Sequence, residues 1–337
     1  MKKIAAVAIL VIALIASGCL ETGEVEKEGV PAASTPGESG SAPDTGNATA
    51  ASTALTPLTE NNIRWNHMPL TVRIAESSTA GIQSLYISDV TEAFKIWENA
   101  TGKLITFQIV NSAESDIIVE WVPVLTSKTS TDTLGTTDTE FGRSINFNIL
   151  KRARIELLTK TDKGERLNDF DMENVALHEI GHALGLGHSD NEASIMVTKV
   201  IVPSKRVKYP VSADTETLIS LYKVKPKADL YIPQDSARVS KLTQKMLTDD
   251  RYYLNVNMSI KNGGMLNATD VLYQIKADGE VVQDETLAEI PYGGSMTISY
   301  QNIPVKKPIN TVELVVNPYN SIDELSTDNN AVSFTLE

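Results

Sequence analysis

His178, Glu179, His182, Gly185 and His188 stand at the spacing HExxHxxGxxH, and three of the chain's 4 histidines fall inside it. On a helix, residues four apart lie one above the other, so His178 and His182 present imidazoles from one face with Glu179 beside them. Gly185 permits a left-handed exit that a Cβ would penalise, and the chain can then return His188 to the same point in space. Three such ligands suit one Zn2+ and leave its fourth coordination position to water, the arrangement of catalytic rather than structural zinc. The metal would bring the pKa of that water from about 15.7 to roughly 7, with Glu179 placed to act as general base. The chemistry these residues could do is hydrolysis of a peptide bond. A two-histidine site completed by a distant glutamate fits less well, because Gly185 and His188 already occupy the positions that the longer pattern needs.

The elements that must position these residues are legible on either side. Residues 70–74 alternate apolar and polar types and read as an opening strand. Val90, Phe94 and Trp97 follow at helical spacing, with Asp89 and Glu92 at capping-box separation and Gly102 beyond the end. Segments 116–122 and 153–157 read as further strands, and residues 171–184 as the site helix, capped by one of Asn168, Asp169 or Asp171. A closing helix is predicted over 212–222. Residues 144–149 alternate as well, and two readings stand: an edge strand that takes substrate as an added strand, or an interior strand without substrate contact. The order is that of an α+β domain.

The pattern HExxHxxGxxH with Ser189 directly after the third histidine resembles the matrixin branch of the metzincin metallopeptidases; other branches carry Glu, Pro or Asp there. The run from Ser189 to Met196 is similar to the matrixin segment that ends in the Met-turn. The resemblance implies an α+β metzincin catalytic domain, a twisted mixed sheet with active-site and C-terminal helices. It also implies one catalytic Zn2+ per chain on His178, His182 and His188, Glu179 as catalytic base, Met196 as an apolar floor beneath the histidines, and polypeptide as substrate. Departures limit the transfer. The sole cysteine is Cys19, so the family's cysteine switch has no counterpart, and only His67 remains for a second, structural zinc site. His67 reads as a surface or capping histidine. Thr198 stands where some metzincins place a zinc-binding tyrosine and where matrixins place proline, so no fifth ligand is expected.

At the amino end Lys2 and Lys3 precede an apolar run over 4–15 and then Ala16-Ser17-Gly18-Cys19. This resembles a lipoprotein signal, with Cys19 as the lipidated residue and the protein anchored on the outer face of the cytoplasmic membrane. An uncleaved anchor helix and an ordinary secretory signal are the alternatives, and each still exports the chain. Residues 20–58 are rich in Gly, Pro, Ser, Thr and Ala and read as a disordered linker. The division is then 1–19 signal, 20–58 linker, 59–224 catalytic domain and 225–337 second domain. A formal net charge of -13 argues against nucleic acid as a partner. Acidic residues of this kind can hold Ca2+, but no EF-hand spacing is present and no ligands are assigned.

Past residue 225 short alternating strands replace the helical pattern. Leu254, Val256, Met258 and Ile260 share one face, and turns recur at Asn262-Gly263-Gly264, Asp278-Gly279 and Gly293-Gly294. About seven strands are expected in an all-β sandwich. With Ile322-Asp323-Glu324 and Asp328-Asn329-Asn330, these turns resemble the CARDB-type immunoglobulin-like domain of prokaryotic surface proteins. The resemblance implies a docking module for a cell-surface polymer or protein, or a spacer without ligand. Two functions are carried forward: an extracytoplasmic zinc endopeptidase, and an adhesion protein whose metallopeptidase-like domain is an inactive scaffold.

Overall fold

Alternating apolar residues give the amino-terminal half a sheet with one face to bury. The computed structural model describes residues 54–75, 84–126, 133–198, 201–245 and 250–336, with the two-residue strand Ala13–Leu14. Cys19, nearly all of the signal-like segment and most of the linker lie outside the described residues.

The first sheet has six strands: β1 (Ile63–Arg64), β2 (Leu70–Ile74), β3 (Phe107–Ile109), β4 (Ile117–Trp121), β5 (Gly135–Arg143) and β6 (Asn148–Leu157). β6 is its hub, parallel to β1 and β4 on one side and antiparallel to β5 on the other. β4 continues through β2 to β3, all parallel. Among the described residues β5 therefore has a single partner and forms an edge. Its Thr- and Gly-rich sequence carries little apolar alternation, which hid it from sequence reading. Segment 144–149 is neither the edge nor, for most of its length, a strand. Ser144 to Phe147 form the turn between β5 and β6, closed by a Ser144 N–H bond to Phe147 O at 2.8 Å.

Helix α1 (Ser84–Ala100) packs on helix α2 (Asp169–Ala183), the site helix. α1 begins five residues before Asp89, so Asp89 lies inside the helix and does not cap it. Tyr86, Val90, Phe94 and Trp97 are buried, as are Trp65 from the opening segment and Trp121 from β4. Two indoles fasten α2 from below: Trp97 Nε1 donates to Leu177 O and Trp65 Nε1 to Ala183 O, each at 2.9 Å. Helix α3 (Ser212–Tyr222) closes the domain. At its end the buried Arg64 guanidinium donates to Leu221 O and Val224 O and lies over the Tyr222 ring.

The second half is all β: β7 (Leu230–Tyr231), β8 (Arg238–Gln244), β9 (Arg251–Asn262), β10 (Ala268–Ala277), β11 (Glu280–Ile290), β12 (Ser295–Val305), β13 (Thr311–Val316) and β14 (Ala331–Thr335). One sheet runs β12-β9-β7 with β8 also on β9; the other runs β11-β10-β13-β14. Leu254, Val256, Met258 and Ile260 face a shared core with Val271, Tyr273, Ile275, Leu314 and Val316, an immunoglobulin-like sandwich. Glu324 is an internal staple, its carboxylate accepting from Leu230 N, Asn317 Nδ2 and Asn330 Nδ2.

At the seam between the halves, side chains of the first domain donate to carbonyls of the sandwich. Ser144 Oγ lies 2.7 Å and 2.8 Å from Gly263 O and Gly264 O, and Asn66 Nδ2 donates to Met265 O at 2.8 Å. A Cβ on Gly293 would collide with Arg143 O across the seam, whereas one on Gly264 would fall 2.5 Å from Lys227 O of its own domain. Among the described residues no helix is long and apolar enough to cross a membrane.

Replacing the stapling indole should unseat α2. Trp97→Ala is expected to destabilise the protein by about 3–5 kcal/mol, read as a shift of the urea midpoint.

Candidate active site

The site is built on α2. Asn168 caps the helix through a capping box: its side chain accepts from Asp171 N at 2.9 Å, and Asp171 Oδ2 accepts from Asn168 N at 3.0 Å. The carboxylates of Asp169 and Asp171 in the first turn also oppose the positive end of the helix dipole. Two turns on, His178 and Glu179 are buried, at 7% and 5% exposure.

The helix stops where it must. Gly185 has φ +104, and the N–H groups of Gly185 and Leu186 return to His182 O and Gly181 O, each at 2.9 Å. That pair of bonds is a Schellman closure. Segment 57–59 then fastens the exit strand, with Gly187 N donating to Pro57 O and Thr59 N to Gly185 O. His188 arrives with its ring centroid 4.8 Å from that of His182 and 5.4 Å from that of His178. One ligand nitrogen from each of the three histidines lies within 4.8 Å of the others.

Second partners fix the imidazoles. His178 Nδ1 bonds to Ile195 O at 2.9 Å and His182 Nδ1 to Leu186 O at 2.8 Å. A carbonyl only accepts, so both Nδ1 atoms carry the proton and both Nε2 atoms present lone pairs. Those Nε2 atoms are 3.1 Å apart. Burial holds both rings neutral, lowering His178 to about 4 and His182 to about 3, against the opposing pull of their carbonyl partners. Two lone pairs facing each other without a proton between them repel, and a cation relieves that contact. Three ligands on a tetrahedral Zn2+ with bonds of roughly 2.0–2.1 Å stand about 3.3 Å apart. The donor set, its tautomers and its spacing fit zinc.

Met196 lies beneath the helix, fully buried, with its thioether where any Cβ on residue 181 would fall. A side chain at residue 181, which precedes the second ligand, would have to displace that thioether from beneath the helix. The turn carrying Met196 is closed by Ser189 N donating to Met196 O at 2.8 Å. Beneath it Asp214, fully buried at the start of α3, accepts from Thr56 Oγ1, Ser194 Oγ, Ile195 N and Val211 N. The Ile195 peptide thus joins Asp214 on its N–H side to His178 on its carbonyl side.

Glu179 faces β5. Thr137 Oγ1 lies 2.7 Å from Glu179 Oε2 and 3.0 Å from Glu179 O, and a Cβ on Gly135 would fall 2.7 Å from Glu179 Cγ. Burial raises the Glu179 carboxyl to about 7, against the downward pull of the Thr137 hydroxyl. Sequence reasoning did not find Gly135, Thr137, Gly181, Ser194 or Asp214, whose roles depend on contacts distant along the chain. His67 stands apart from the trio, exposed, with Nε2 3.2 Å from Asp116 Oδ2. Cys19 lies outside the described residues.

A histidine trio, a buried glutamate and a methionine floor on this α+β frame define the metzincin class of metallopeptidase domain. Residues 64–223 match the Matrixin family and residues 227–334 the CARDB family, so a matrixin domain is followed by a CARDB domain. The chain is similar to Metalloendoproteinase 1-MMP of Arabidopsis thaliana, with 41% identity over 68 residues. It is also similar to Interstitial collagenase B of Mus musculus, 29% over 148 residues, and to Matrix metalloproteinase-26 of Homo sapiens, 28% over 178 residues. These alignments take in 20%, 41% and 52% of this chain and 18%, 29% and 66% of the respective relatives. The chain thus spans less than a third of the length of the plant and mouse proteins.

The link from Asp214 to His178 can be tested on metal binding alone. Asp214→Ala is expected to weaken zinc affinity about 10- to 100-fold, measured by competition with a chromophoric chelator while circular dichroism reports an intact fold.

Proposed function

We propose that this chain is an exported zinc endopeptidase that cuts extended polypeptide and is held to the outer face of the cytoplasmic membrane through lipidated Cys19. The observation that carries the enzymatic reading is the convergence of His178, His182 and His188 beside the buried carboxylate of Glu179. Zinc held by the three imidazoles would polarise the scissile carbonyl and acidify the attacking water.

The remaining work falls to the chain's own residues. Glu179 accepts a proton from the attacking water and returns it to the leaving amine. Its carboxyl, raised to about 7 by burial, is a base matched to neutral pH. Thr137 fixes the rotation of that carboxylate with its bond to Oε2. The edge strand β5 runs directly past Glu179, and the unpaired side of such an edge can take an extended substrate as an added strand. The anchor rests on sequence: Lys2 and Lys3, the apolar run and a small-residue approach to the sole cysteine support it.

Three outcomes are expected. The purified ectodomain should degrade unfolded casein, stop in a zinc chelator and resume when zinc is restored; activity indifferent to the chelator would contradict the proposal. Glu179→Ala should keep stoichiometric zinc by atomic absorption and lose turnover by several orders of magnitude. Thr137→Val removes a hydrogen bond that favours the ionised carboxylate, so the base stays protonated to higher pH. The acid limb of kcat/KM should then move upward in pH, and a downward move would sink the assigned role of Thr137.

A further inference from the structure

We infer that the sandwich domain supplies the outer end of the substrate cleft, where Tyr292 and the cationic side chains of Arg143 and Lys151 receive an acidic stretch of polypeptide lying N-terminal to the scissile bond. The inference rests on the peptidase reading and adds a substrate preference to it.

One strand connects the two places. β5 begins against Glu179, with Gly135 and Thr137 both in contact with that carboxylate. It ends against the sandwich: a Cβ on Gly142 would lie 3.2 Å from Tyr292 Oη and 2.8 Å from Lys151 Cε, and the Arg143 carbonyl meets Gly293. At about 3.4 Å per residue, the five steps from Thr137 to Gly142 cover roughly 17 Å. A chain laid along β5 with its nearest residue at Glu179 therefore meets Tyr292 about five residues farther out.

Direction follows from pairing. β5 already pairs antiparallel with β6, and its other edge has no partner among the described strands. Antiparallel addition is the slightly more stable mode. A substrate added that way runs against β5, so its residues N-terminal to the scissile bond point toward Arg143 and the sandwich. Between Glu140 and Phe141 the register skips Lys151, a bulge in the neighbouring strand β6 that leaves Lys151 without a cross-strand partner beside the outer part of β5.

Chemistry at the far end is specific. Arg143 and Lys151 are exposed, and among the described residues neither forms a salt bridge. Tyr292 is partly buried, and its backbone N–H is held by Asn267 Oδ1 at 3.1 Å. That bond fixes the main chain from which the ring projects toward the end of β5. Ser144 on Gly263 and Gly264, with Asn66 on Met265, holds the sandwich in register with β5. Two cations and an aromatic face on an open strand end suit carboxylate side chains of an extended polypeptide.

The test uses the full ectodomain and quenched-fluorescence peptides built around one mapped casein cleavage point. The first peptide is the short core, with three residues before the scissile bond. The second adds an acidic extension on the N-terminal side, the third a neutral one there, and the fourth an acidic extension on the C-terminal side. The acidic N-terminal extension is expected to raise kcat/KM about five- to tenfold over the core, with the other two below about twofold. Arg143→Gln and Tyr292→Ala should each remove most of that gain and leave the core peptide's rate unchanged. The inference is overturned if wild type shows no gain, if the C-terminal extension gains equally, or if the gain survives in both variants. Loss of the core rate in both variants also overturns it, by giving the contact a structural role. Failure of the peptidase reading would look different: no peptide would be cut at all.

Discussion

Two unprotonated imidazole nitrogens held 3.1 Å apart are the constraint on which this domain turns. Left alone they repel, and burial denies them the proton that would relieve the contact. The geometry therefore stands only because other parts of the chain hold each ring by its opposite nitrogen. For His182 that holder is Leu186 O, set by the helix closure at Gly185. For His178 it is Ile195 O, set by the Asp214 cluster below the methionine turn. The ligand geometry is thus a product of backbone carbonyls whose positions are fixed by contacts well outside the motif.

Those supports come from three different layers. The indoles of Trp65 and Trp97 fasten α2 to the opening segment and to α1. Segment 56–59 ties the start of the domain to the helix exit and to α3 through Gly187, Gly185 and Asp214. Arg64 ties the same start to the last turn of α3. Side chains that never approach the metal-site nitrogens thus determine where those nitrogens lie.

Legibility in the sequence followed the kind of constraint. His178, Glu179, His182, Gly185 and His188 could be read because coordination and helical geometry fix both residue type and spacing. The strands around Leu70 and Ile117, the closing helix and the Leu254 to Ile260 face could be read because burial imposes a period. β5 could not, since an edge strand half open to solvent need not alternate, and its Thr136, Thr137 and Thr139 suit a loop as well as a strand. Asp89 misled because its spacing to Glu92 imitates a cap inside a helix that starts earlier. Asp214 and Thr137 gave no signal, because each acts on a residue well outside any local pattern, 19 and 42 positions away.

At Gly293 the seam is main chain meeting main chain, with the Arg143 carbonyl facing a residue that has no side chain. Contacts between side chains can be worn down or rebuilt one atom at a time, since a leucine can shorten to valine and a neighbour can lengthen. A carbonyl facing a bare glycine has no such gradations. The two halves of this protein can therefore drift freely in sequence over most of their surfaces while their mutual orientation is inherited almost as a single unit. Any gain of bulk at Gly293 would force them to part.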